Sequence, residues 1–345
     1  MRTLFALLIM GATVIAPAMV AVRAAESTPA PLSPDAKDYL DRAITLFREQ
    51  HINSRKMDWP ALTQKAYAAA AGAKTTADTY PAIQLIIKEL GEKHTSFVDP
   101  DHARAEFTGK KAGNAEPPPL LLPETVQLAN GIGAVRLSAF MGSPEEGELY
   151  AQAGRTKIDQ LKAQSVCKFV LDLRSDAGGN MYPMISSVAG LLRNGVLGRF
   201  ESSAGKYVAW ELRDGKVIQT GIADPPTPPL YLKDVPPVAV LIGPSTASAG
   251  EFTAMSFEGR PNTRFFGAPS AGYVTANQPI HLSDGAVIAM TVGWGLDRTG
   301  KKYVERIVPD QETGAGGPTE DAAVKWLAAQ PCPSTLPKPS SAKRH

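Results

Sequence analysis

Apolar residues recur every three or four positions through residues 34–51, where Tyr39, Leu40, Ile44, Leu46 and Phe47 make one stripe. That period belongs to an amphipathic helix. Residues 57–71 and 76–92 read the same way, the second carrying Ile83, Ile86, Ile87 and Leu90. Residues 38–100 are therefore expected to form a small N-terminal helical bundle. A charged stretch over residues 100–125, containing Pro117-Pro118-Pro119, reads as a connection. The period then changes. Residues 132–140 read as a strand and 145–163 as an amphipathic helix. Residues 167–173 form a short run that is apolar except at Lys168 and Asp172, as expected for a strand buried on both faces of a parallel sheet. A helix over 182–193, a hairpin over 200–220 turning at Asp214-Gly215, and a second buried strand over 237–242 follow. Further strands are expected at 263–266, 278–281 and 287–292, and a closing helix at 320–328. This order predicts an α/β core over residues 125–330.

The chain has 345 residues, 43% hydrophobic and 20% charged, an ordinary globular composition with room for a large core. The N-terminus departs from it. Arg2 precedes an apolar run over 4–22, broken by Gly11 and Pro17, and Val22-Arg23-Ala24 places small residues at −3 and −1 of a cut after residue 24. This reads as a secretory signal peptide over 1–24, followed by a Pro-, Ser- and Ala-rich linker over 25–37. About 20 apolar residues can also anchor a chain in a bilayer; Pro17 and the cleavage-like residues favour removal. No later segment is apolar enough to span a membrane, so no stable insertion is expected after cleavage, and the product would be periplasmic or secreted. Residues 331–345 read as a disordered tail. The formal charge of +2 drops to near zero without Arg2 and Arg23, which leaves no electrostatic footprint for nucleic acid. Cys167 and Cys332 are the two cysteines; a disulfide and a buried Cys167 thiol are both open. The five histidines are scattered, so no metal and no cofactor are expected. The oligomeric state is not written in the sequence.

Three places carry candidate chemistry. The apolar strand Val238-Ala239-Val240-Leu241-Ile242 runs through small residues into Thr246-Ala247-Ser248-Ala249-Gly250-Glu251 and a helix. A serine at that junction presents its hydroxyl where main-chain N–H groups point outward, with the Ala249 N–H as a natural donor to an oxyanion. Ser248 also suits a plain helix N-cap, and this stretch alone does not separate the two roles. Thr246 stands where a Gly-x-Ser-x-Gly elbow would have its first glycine. In Leu171-Asp172-Leu173-Arg174-Ser175-Asp176-Ala177-Gly178-Gly179 a buried strand ends in two glycines, so Gly178 or Gly179 can give a second oxyanion donor; the alternative is an ordinary sheet-to-helix turn. His94 closes a predicted helix. A serine hydroxyl needs a base near neutral pH, and an imidazole suits that task.

Together these motifs resemble the tail-specific, or C-terminal processing, serine peptidases, a family that includes the tricorn core peptidase and retinoid-binding repeats. Residues 90–97 are similar to its Leu-Gly-Asp-x-His-Thr/Ser element, and 132–140 to its central strand. Residues 171–179 resemble its Asp-Leu-Arg-x-Asn-x-Gly-Gly loop, and 243–251 its nucleophile stretch. Residues 267–272 match its glycine turn, and Pro309-Asp310 its closing pair. The resemblance implies a Clp protease/crotonase-like spiral β-β-α core, a peptide or protein substrate and an acyl-enzyme on Ser248. Where the Ser–Lys branch has its lysine this chain has Tyr273, so the tricorn-like branch with His, Ser and Glu fits better, His94 matching its base. Glu305 is the available carboxylate, although Tyr303 can occupy the same place. Residues 98–128 are too short for a peptide-binding PDZ insert. The resemblance leaves two alternatives: a non-catalytic binder of apolar small ligands, or an exported esterase.

Overall fold

The computed structural model describes residues 30–108, 119–222, 235–314 and 316–333. The expected signal peptide and positions 334–345 of the expected tail lie outside them. Helix α1 (Pro34–Gln50) begins inside the stretch read as linker. Ser33 accepts the Ala36 N–H and Pro34 opens the first turn, so the start is built into the local sequence. Helices α2 (Trp59–Ala69) and α3 (Tyr80–Glu89) follow, and Gly91 ends the third in the left-handed region at φ +68°. Their apolar stripes, Leu40, Phe47, Ile83 and Ile86 among them, close against Ile288 and Met290 of a sheet as well as against one another. After the short strand β1 (Ser96–Val98), helix α4 (Pro100–Thr108) occupies part of the stretch expected to be a bare connection.

Two six-stranded sheets form the remainder. One contains β2 (Glu124–Gln127), β3 (Ile132–Arg136), β4 (Lys168–Asp172), β8 (Val238–Ile242), β9 (Thr263–Gly267) and β12 (Gln311–Glu312) in the order 12-9-8-4-3-2, all parallel except β2. The other contains β1, β5 (Gly195–Ser202), β6 (Tyr207–Arg213), β7 (Lys216–Ile222), β10 (Thr275–His281) and β11 (Val287–Asp297), with antiparallel pairing throughout. The β6–β7 hairpin turns at Asp214-Gly215, as the sequence predicts. Every residue of β4 and β8 is buried, because helix α8 (Gly317–Ala328) covers one face of the parallel sheet and α5 (Pro144–Ala163), α6 (Met181–Ser187) and α7 (Ala249–Met255) cover the other. No helix among the described residues is long and apolar enough to cross a membrane.

This topology sets the site. Strands β4 and β8 are parallel neighbours, so the loops leaving their C-terminal ends emerge side by side. Those loops carry Gly178-Gly179 and Ser248. Cys167, just before β4, is bonded to Cys332, just beyond α8, which fastens the end of the described chain to the central sheet.

Candidate active site

Ser248 occupies the N-cap of α7 with φ +50° and ψ −115°. An ordinary N-cap lies in the extended region. The observed conformation is essentially closed to L-residues and costs on the order of 1–3 kcal/mol. The surroundings impose it. Thr246, fully buried, donates its hydroxyl to the Leu173 carbonyl (2.8 Å) and accepts the Gly243 N–H (2.9 Å), and so holds the turn where an elbow glycine would stand. The Ala247 N–H donates to the Asp176 carbonyl (2.9 Å). Two residues after the serine, only glycine fits: a Cβ on Gly250 would lie 2.6 Å from that same carbonyl oxygen.

The neighbouring loop presses on the serine. A Cβ on Gly178, at φ +106°, would lie 2.9 Å from the Ser248 Cβ and 3.2 Å from the Ala249 nitrogen. One on Gly179 would meet the Phe140 carbonyl oxygen at 1.9 Å. The Gly178 N–H donates to Asp176 Oδ1 (3.1 Å). No described residue takes the N–H of Gly179 or of Ala249. The Glu251 carboxylate joins the serine turn to the segment before β10. Its Oε2 accepts the N–H groups of Ser248 (3.0 Å) and Tyr273 (2.6 Å), and its Oε1 accepts the Ser270 hydroxyl (2.5 Å) and the Gly272 N–H (2.8 Å). Burial raises its pKa, and these four donors only partly offset that.

His94 lies between α3 and β1, half-buried. Its ring stands edge-on to that of Tyr273, centroids 5.0 Å apart, and Nδ1 is 2.9 Å from Thr275 Oγ1. Lys93 also lies over the Tyr273 ring, its Nζ 4.5 Å from the ring centroid and 2.8 Å from the Ala271 carbonyl oxygen. Burial lowers the His94 pKa below 6.5, and Lys93 adds to this against the opposing pull of Glu92. The imidazole is thus neutral at pH 7, as a base must be. Glu251 thus ties the Ser248 N–H to the Tyr273 N–H, and the Tyr273 ring in turn packs against His94. Glu305 is not the partner of Nδ1. Its side chain is exposed, its carbonyl oxygen would lie 2.3 Å from a Cβ on Gly272, and the hydroxyl of Thr275 takes Nδ1 instead. Tyr303 is no substitute, since it is buried with its hydroxyl 3.0 Å from Asp297 Oδ2.

Sequence reasoning also missed what aims His94. Glu92 receives the N–H groups of His94 (2.6 Å) and Thr95 (2.8 Å), the Thr291 hydroxyl (3.2 Å) and Nε2 of the buried His51 (3.3 Å). Nδ1 of His51 accepts the Asn53 N–H, which leaves Nε2 as the donor. Burial pushes the Glu92 pKa up, but the bonds from His51, Thr95 and His94 outweigh it and set it at about 2. A carboxylate held below its unfolded value of 4.5 adds stability above that pH and loses it as pH falls towards 2. Glu92→Gln is expected to unfold more easily at pH 7, by on the order of 2 kcal/mol after allowance for partial exposure. The gap from the parent should narrow between about pH 4.5 and 2; thermal denaturation across that range measures it.

The model of "Peptidase family S41" matches residues 131–313. A curated relative, the nisin-resistance protein of Lactococcus lactis subsp. lactis, is 28% identical over 298 residues, 86% of this chain and 88% of its own. A solved lipoprotein from Streptococcus agalactiae superposes with a TM-score of 0.69 at 25% identity, covering 86% of this chain and 97% of that one. The photosystem II D1 C-terminal processing protease shares the fold, with a TM-score of 0.59 at 16% identity over 86% of this chain and 98% of its own.

Proposed function

This chain belongs to peptidase family S41, and from that premise we propose that it is an exported peptidase that cleaves peptide bonds through an acyl-enzyme on Ser248. The observation that carries the reading is the backbone of Ser248, held at φ +50° and ψ −115° beside Gly178. A ligand-binding scaffold has no use for a strained serine in a glycine-lined turn; a nucleophile does. In this mechanism His94 Nε2 takes the Ser248 proton while Thr275 accepts from Nδ1–H and fixes the ring. Ser248 Oγ attacks the peptide carbonyl. The oxyanion lies against the N–H groups of Ala249 and Gly179, because Asp176 already engages that of Gly178. The amine leaves with the proton held on His94, and water then releases the acyl group. Export rests on the signal-like residues 1–24 and on a disulfide suited to an oxidising compartment. The relative named for nisin resistance makes nisin a first substrate to try.

A fluorophosphonate probe is expected to label the protein once, at Ser248, and His94→Ala should lower the labelling rate by about 10³-fold or more. Mass spectrometry of the labelled peptide and stopped labelling assays measure both. A folded protein that takes no label would end the peptidase reading. Ester turnover with no detectable cleavage of matched peptides would favour the esterase instead.

A further inference from the structure

Asp176 lies in the glycine loop beside Ser248 and is fully buried. Its Oδ1 accepts the Gly178 N–H (3.1 Å), and its carbonyl oxygen accepts the Ala247 N–H (2.9 Å), one residue before the nucleophile. Gly250 packs directly on the carboxyl group, close enough that an added Cβ would be 2.9 Å from Cγ and 3.0 Å from Oδ1. The other oxygen, Oδ2, is buried with no hydrogen-bond partner among the described residues. A buried carboxylate normally fills its lone pairs with donors, as Glu92 and Glu251 do here. An orphaned oxygen suits a neutral acid far better than an anion.

We propose that Asp176 is a positioning residue of the Ser248 site that works as an uncharged carboxylic acid, and that its ionisation switches the site off on the alkaline side. The proposal rests on the peptidase reading of Ser248 and deepens it. Asp176 joins the turn of the nucleophile to the loop that presents Gly179, so its charge stands beside the proposed oxyanion donors. Like charges at that range, partly screened, oppose each other by about tenfold or more in rate.

The groups around Asp176 leave it alone in this role. From α5, Tyr150 donates its hydroxyl to the Ser138 carbonyl, and burial pushes its pKa well above the usual phenol range, with Asp176 adding to the shift. From α7, Glu251 is filled by its four donors. From the end of β4, Asp172 is held below its usual range by Arg174 and Arg136 despite burial. Burial raises Asp176 itself to about 7, with only the Gly178 N–H opposing. His94 must be neutral, which sets the acid limb below 6.5. The expected profile is a bell, with His94 on the acid side and Asp176 on the alkaline side.

The test is the rate of fluorophosphonate labelling of Ser248 from pH 5 to 9 in the parent, Asp176→Asn and Asp176→Ala. The amide keeps an oxygen for the Gly178 N–H and cannot ionise. D176N should keep the acid limb and the plateau and lose the alkaline limb, labelling about tenfold or more faster than the parent at pH 9. D176A should also lose the alkaline limb, from a lower plateau, because nothing then holds Gly178. A second readout is independent of chemistry. A carboxyl raised from 3.8 when unfolded to about 7 when folded contributes stability below 3.8 that is lost as pH rises through 7. In a Ser248→Ala background, D176N should therefore gain in melting temperature over the parent between about pH 4 and 7, then level off. Identical alkaline limbs in all three proteins, or a melting difference that ignores pH, would overturn the proposal. A folded parent that never labels would defeat the peptidase reading instead, and the melting arm would still judge whether Asp176 is neutral.

Discussion

Replacing Ser248 by glycine is expected to give a protein that is more stable than the parent and catalytically dead. Serine at φ +50° and ψ −115° holds a conformation that costs on the order of 1–3 kcal/mol, and glycine adopts it with little steric penalty. The gain is offset in part by the greater freedom of glycine in the unfolded chain, so a net stabilisation of about 1 kcal/mol is expected. Ser248→Ala keeps a Cβ and the strain, so its melting temperature should stay close to that of the parent. Both variants remove the proposed nucleophile, and removal of a catalytic serine lowers kcat by on the order of 10⁴- to 10⁶-fold. Thermal denaturation and peptide turnover of the three proteins, side by side, measure the outcome. Glycine that destabilises would show that the serine side chain serves the fold as a cap. Residual turnover in Ser248→Ala would place the chemistry elsewhere.

The second large effect is on stability. The Cys167–Cys332 bond joins residues 165 positions apart. On the chain-entropy account a cross-link of that span stabilises by up to about 5 kcal/mol. It also fastens α8, whose Ala323 and Leu327 pack on Ile132, Val170 and Leu241 of the central sheet. Reduction, or Cys332→Ala, should lower the melting temperature by roughly 10 °C. The first segment to gain protease sensitivity should be α8, because it is the element the bond retains. Labelling of Ser248 at 25 °C should persist, since α8 covers the face of the parallel sheet opposite α6 and α7. A melting curve unchanged by reductant would mean that packing alone holds α8.

Much of the core was written locally. The runs Phe169–Leu171 in β4 and Val238–Ile242 in β8 are apolar throughout because both faces are covered, and such a run reads as a buried strand wherever it occurs. The glycines at 178, 179 and 250 mark places where a Cβ would strike backbone or a neighbouring residue, and the order of these motifs along the chain carries the family resemblance. The start of α1 is legible too, from a serine cap and a proline in the first turn.

The setting of the base was not. Thr275 and His94 are 181 residues apart, and they meet because β10 runs beside β11 while β1 pairs with the same strand on its other side. Its spacing from Pro309-Asp310 makes Glu305 the available carboxylate, but spacing along a chain does not say which way a side chain faces. Tyr303 takes the buried position, Glu305 turns to solvent, and Asp310 spends its Oδ2 on the Phe265 N–H. Nor does sequence reveal that Ser248 is strained, or that Asp176 Oδ2 has no partner, since both depend on two loops being pressed together.

By itself, then, the sequence determined the elements, the buried strands and the residue types available for chemistry, because periodicity and steric demand are local properties that each segment carries with it. The tertiary structure alone decided which groups meet: Thr275 rather than Glu305 at His94, Glu92 as its anchor, Asp176 beside Ser248. The reason is physical. Hydrogen-bond partners and burial are set by how strands far apart in the chain are paired, and a list of residues does not state that pairing.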